Sequence, residues 1–242
     1  MPQTLLQILV RHHVLPGFLI FSGAVTGALS PILPGLAQSS PTPAAPLSAP
    51  AAPADSGLFN SAIDRLPAAT RASLRSGNAV VSGDQGRYVA RVLVSASRET
   101  AWKVLTDYGN FAKFLPNLVS SKILESQGNQ KVVEQIDSRQ IFLFTITSRV
   151  KLAITESDRQ KVEFRQVDGD LQSISGYWQI ESIAPYAGAT PNQVLITQVV
   201  DAQPKSGTPR DTFYDLFKGS LTQTMIAVRR EVTQRQGNDK PL

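Results

Sequence analysis

Side chains able to act as acids, bases or nucleophiles are few in this chain, and their types exclude most catalytic chemistry. There is no cysteine, and the two histidines, His12 and His13, stand side by side near the N-terminus. The missing thiol removes disulfides, cysteine nucleophiles, Cys-ligated zinc and an acylated lipoprotein N-terminus. Once the histidine-bearing segment is cut away, Ser-His-Asp and Cys-His catalysis and the common histidine metal sites go with it. Any reaction would fall to carboxylates, Lys, Tyr or hydroxyls. Asp107-Tyr108, an adjacent acid and phenol, suggests proton transfer. Its position at the end of a helical stretch favours a plainer account: Asp satisfies nearby backbone N–H groups and Tyr caps the core. No catalytic residue is assigned.

Two glycine-bearing stretches are turns rather than sites. Asp168-Gly169 is a hairpin signal, with no further carboxylates at the spacing of a calcium loop. Gly83-x-x-Gly86 lacks the lysine and the context of a phosphate-binding loop. No metal and no cofactor are expected. The net charge of +5 is spread thinly, without a basic run interleaved with aromatics, so nucleic acid is not an expected partner.

The elements that must position these residues begin with a period-two stretch. Tyr88, Ala90, Val92 and Val94 alternate as the buried side of a strand. Ser97 then offers an N-cap oxygen and Glu99 a first-turn carboxylate. Ala101, Trp102, Val104 and Leu105 form the apolar stripe of a short helix. Gly109 ends it, and Phe111, Phe114 and Leu115 make a second short apolar turn closed by Pro116. Strands with hairpin punctuation follow: 118–125, 131–138, one long strand over 141–156, 161–167, 173–183 and 194–202. Within the long strand, Ile146, Val150, Leu152 and Ile154 share a face interrupted by Ser148. Thr145, Thr147, Arg149 and Lys151 look outward or into a polar cavity. A final amphipathic helix, capped by Thr208 or Asp211, runs to about residue 236 with Phe213, Phe217, Leu221, Met225, Val228 and Val232 on one stripe.

Ahead of these, residues 1–37 have the layout of a secretory signal peptide. Arg11 precedes an apolar run through Phe18–Phe21, and Gly35-Leu36-Ala37 offers small residues for cleavage after Ala37. The rival reading is an uncleaved anchor, since Val14 to Leu36 is long enough to span a bilayer. Residues 38–57 are a Pro/Ala/Ser-rich disordered tether. The domain spans 58–236, with its core over 80–236 after a short helical prelude from Leu58 to Gly77, in which Pro67 suits the first position of a helix and Gly77 is a stop. Residues 237–242 form a disordered tail. The expected location is extracytoplasmic, a periplasm or similar lumen.

The string Trp102, Leu105, Thr106-Asp107-Tyr108, Phe111, Phe114, Pro116-Asn117-Leu118, together with Val119, Ser121, Gln135, Gly176, Trp178 and the helix from Asp211, resembles the START-like (SRPBCC) superfamily. That superfamily includes coenzyme Q-binding START proteins and polyketide cyclase/dehydrases. The resemblance covers about residues 80–235. It implies an α+β helix-grip fold, a curved antiparallel sheet wrapped on a long C-terminal helix, with two short helices after the first strand. It further implies a cavity between sheet and helix. Phe142, Phe144, Trp178, Phe213, Phe217 and Leu221 are candidate walls, the alternative for each being plain core filling. Arg149 and Arg165 are candidate polar handles, with a solvated strand face as the favoured alternative. The expected partner is a hydrophobic small molecule such as a lipid, an isoprenoid quinone or a pigment, with transient membrane contact. The alternatives are a cyclase/dehydrase-type enzyme working by confinement in the same pocket and a membrane-tethered assembly factor.

Overall fold

The computed structural model describes residues 61–141, 143–186 and 188–238. The leader, the tether and the last residues of the tail lie outside them. Eight strands form one antiparallel sheet in the order β1-β2-β8-β7-β6-β5-β4-β3. They are β1 (Val80–Asp84), β2 (Arg87–Val94), β3 (Leu118–Gln127), β4 (Gln130–Ile141), β5 (Phe144–Ser157), β6 (Lys161–Gly169), β7 (Ser173–Ile183) and β8 (Gln193–Gln203). Helix α1 (Ala68–Arg75) precedes the sheet, α2 (Arg98–Leu105) and α3 (Phe111–Phe114) lie between β2 and β3, and α4 (Arg210–Asn238) ends the fold. The expected helix-grip order holds.

Local chemistry explains the joins. β1 turns into β2 through Gln85-Gly86, both with positive φ (47° and 90°), the two-residue turn that matches strand twist. Ser97 Oγ accepts the Thr100 N–H at 3.0 Å and starts α2. Gly77, with φ 81°, stops the chain after α1, and its carbonyl accepts a hydrogen bond from Arg229 of α4.

Alternation sorts each strand into two faces. Tyr88, Ala90, Val92 and Val94 of β2 and Val194, Ile196, Val200 and Ala202 of β8 enter the main core beneath α4. Leu221, Met225, Val228 and Val232 supply the helix side of that core. Leu93 and Leu195 point the other way and join Ile63, Leu74 and Ile183 in a second cluster. The prelude therefore covers the convex face where β2 and β8 meet, and these strands are buried on both sides.

Two sequence readings are corrected here. The stretch 141–156 is not one strand: β4 ends at Ile141 and β5 begins at Phe144, its antiparallel partner. The sequence between them carries no Gly, Pro, Asn or Asp to signal a reversal. Asp168-Gly169 is not the hairpin turn either. Both belong to β6, and the chain reverses at Asp170–Gln172.

Candidate functional site

The concave face of β5 to β8 and the first half of α4 define the candidate site. Trp178 stands near the middle of that face, with Val162 and Gln198 beside it on the neighbouring strands. It is only half-buried, as are Ile174 and Gly176 on the same strand, so α4 leaves this part of the sheet uncovered. Gly176 has a further use: a Cβ there would run into the Val199 carbonyl of β8 and meet Val200 Cα at 2.9 Å and the Phe164 ring at 3.0 Å, so its absence permits the close approach of backbone and ring.

The wall opposite is aromatic. Phe213 and Phe217 stack at 5.6 Å between centroids with 17° between planes, and Phe217 meets Tyr88 at 6.1 Å. Tyr88 donates to the Tyr214 carbonyl at 3.3 Å, and burial raises its pKa. Both Phe213 and Phe217 are half-buried, whereas Leu221 is sealed inside the core. Leu221 is therefore packing rather than wall at this position. Phe144 opens β5, and Phe142 lies outside the described residues.

Arg149 and Arg165 are not handles on the concave face. They alternate with Val150, Leu152 and Phe164 and so point to the convex side. Arg149 bridges Asp168 at 2.9 Å and Glu134 at 3.3 Å, and the Asp168 bond and charge hold the guanidinium more firmly protonated than usual. In turn, Arg149 pulls the Asp168 carboxyl below its ordinary value. Two open depressions mark the convex surface. One of about 510 Å³ is lined by Glu125, Glu163 and Arg165, and one of about 610 Å³ by Arg65, Arg91 and Glu181.

Of the polar groups that do face the helix, Asp137, Arg139, Lys131, Glu156, Gln166 and Gln198 were not singled out in the sequence. Arg139 bonds Asp137 at 2.6 Å and reaches across to Ser220 and the Leu216 carbonyl of α4. At the other end, Glu156 accepts from Tyr108 at 3.0 Å and pairs with Lys131 at 2.8 Å. Burial, then the Glu156 charge, pushes the Tyr108 hydroxyl far up, so it stays protonated. Ser121 Oγ, Gln166 Oε1 and Gln198 Oε1 are buried without a hydrogen-bond partner. Strand alternation was the available signal, since Gln198 falls two residues from both Ile196 and Val200.

Among the described residues, no group of three or more His, Cys, Asp or Glu side chains could hold a metal. No helix among them is long and apolar enough to cross a membrane.

A family model described as polyketide cyclase / dehydrase and lipid transport matches residues 94–229. The chain belongs to that family, within the START-like superfamily. No curated protein sequence matches it. Among solved structures, TTHA0849 from Thermus thermophilus superposes with a TM-score of 0.50 at 10% identity, covering 63% of this chain and 98% of its own. The Zhui aromatase/cyclase from a Streptomyces species gives 0.48 at 15% identity over 63% of this chain and 93% of its own. A STAR-related lipid transfer protein from Xanthomonas axonopodis gives 0.49 at 15% over 64% and 98%. At such identities the TTHA0849 likeness speaks to fold alone.

Proposed function

We propose that this START-like protein binds or carries a hydrophobic small molecule in the cleft between the concave sheet face and the first half of α4. The carrying observation is the half-buried Trp178 at the centre of a face whose neighbours are otherwise core. An apolar wall left partly open between two packed elements is the arrangement of a small-molecule pocket. Lipids, isoprenoid quinones and pigments remain the ligand classes of this reading. Exposed apolar residues near the open end, Leu143, Ile146 and Leu216, support transient contact with a lipid surface during exchange.

The enzyme reading, a cyclase or dehydrase acting in the same cleft, draws support from the family description. The pairing of the concave-face charges weighs for binding instead. Asp137 is held by Arg139 and Glu156 by Lys131 and Tyr108, which leaves neither carboxylate poised as a general base. Export is part of the same proposal and rests on the leader pattern, with cleavage after Ala37 and a domain starting near residue 58. Retention of the leader would instead suit a membrane-tethered assembly factor.

Native mass spectrometry of the purified protein, with titration of the neutral fluorescent probe N-phenylnaphthylamine, tests the binding reading. A co-purifying apolar species or saturable probe binding is the expected result. Absence of both would sink the proposal.

A further inference from the structure

Three buried polar atoms without partners, Ser121 Oγ, Gln166 Oε1 and Gln198 Oε1, all belong to side chains on the concave face. The convex face of the same sheet contributes none among the described residues. Native interiors pair nearly all such atoms, so an unpaired set confined to one face calls for an occupant. Gln198 is one of the two buried residues among them. The residue is 8% exposed, with Ala90 and Trp178 on either side and Ile196 and Val200 along its own strand. In that surround its Oε1 has no hydrogen-bond partner. Turning the amide over exchanges oxygen for nitrogen at that spot but leaves an unpaired polar atom there.

We propose that the cleft selects a neutral, hydroxyl-bearing apolar molecule, and that Gln198 binds its hydroxyl. This rests on the small-molecule reading above and names the polar end of the ligand. A hydroxyl both donates and accepts, so it satisfies either orientation of the amide. An anionic head group does not fit. The cations on the concave face of the described strands, Lys131 and Arg139, are already paired with Glu156 and Asp137. A carboxylate buried beside Gln198 would lack a counter-charge. Trp178, half-buried next to Gln198, supplies the open approach and an apolar surface for the rest of the molecule.

The test uses the full chain and displacement of N-phenylnaphthylamine by dodecanol, dodecyl methyl ether and dodecanoate. The unaltered protein is expected to prefer dodecanol over the ether by about tenfold, one hydrogen bond to a buried partner. Gln198→Met and Gln198→Leu should remove that preference by weakening the alcohol alone, with the unliganded melting temperature unchanged or higher. Equal binding of alcohol and ether by the unaltered protein would overturn the inference. So would a preference that survives both substitutions, as it would if a buried water serves the amide, or dodecanoate binding tightest of the three. A probe that binds and is displaced without alcohol preference defeats only this inference. A probe that never binds defeats the small-molecule reading as well.

Discussion

Asp107 Oδ2 accepts a hydrogen bond from Arg235 Nη2 at 2.8 Å, joining residues 128 apart in the chain. Arg235 also bonds Glu231 at 2.8 Å on its own helix and lies over the Phe114 ring. Asp107 in turn receives Asn110 Nδ2 at 2.7 Å. The short helices are thus pinned to the last turns of α4, which fixes the closed end of the grip while its other end stays open. Asp107 is an anchor, and the sequence reading is corrected here: its carboxylate caps no backbone N–H and is taken up by the Asn110 and Arg235 side chains.

Removing that anchor should cost stability and spare the cleft. Both side chains remain partly exposed, so solvent screening limits the coupling to about 1 kcal/mol. A double-mutant cycle with Asp107→Asn and Arg235→Met, read by denaturant melts, is the direct measurement. Additive effects within error would show that the contact does not tie the two elements.

Alkaline pH should expose the Tyr108 pairing. The Tyr108 hydroxyl is raised above its ordinary value of 10.0, first by burial and then by Glu156. The folded state therefore keeps a proton that the unfolded chain releases above pH 10. Stability from this group is complete below about pH 10 and falls as pH rises further, by up to about 1.4 kcal/mol per pH unit. Tyr108→Phe should flatten that decline while losing the hydrogen bond at neutral pH. An identical alkaline slope in the variant would refute the assignment.

The leader carries its own prediction. N-terminal sequencing of protein recovered outside the cytoplasm should begin at Gln38, after the Gly35-Leu36-Ala37 site. A chain that still starts at its first residues would point to a retained anchor.

What could be read in advance was whatever repeats along the chain. Period-two runs marked β2 and β7, a Ser cap marked α2, and a helical stripe marked α4, because each signal is local. The cleft residues are legible only through pairing across strands. Arg149 resembled a handle because alternation states that two faces exist without naming the inner one. Its ion pairs with Glu134 and Asp168 come from strands on either side, and only the register brings them together. Gln198 was hidden for the same reason, as the one polar residue among Val194, Ile196, Val200 and Ala202 on its face of β8.

Phe217 and Met225 are separated by two turns on one stripe of α4, yet they should respond differently to truncation. Met225 is fully buried among core side chains, so Met225→Ala should cost about 2–5 kcal/mol through lost contacts and a cavity. Phe217 is half-buried and touches Phe213 and Tyr88 along one side. Phe217→Ala should therefore cost less than the roughly 3–5 kcal/mol of a fully packed phenylalanine. Its main effect should be on N-phenylnaphthylamine affinity, because the lost ring is cleft wall. Thermal melts and probe titrations on the two variants decide between core and wall. If Phe217→Ala destabilises as much as Met225→Ala and leaves the affinity unchanged, Phe217 is core and the site does not extend to that turn of the helix.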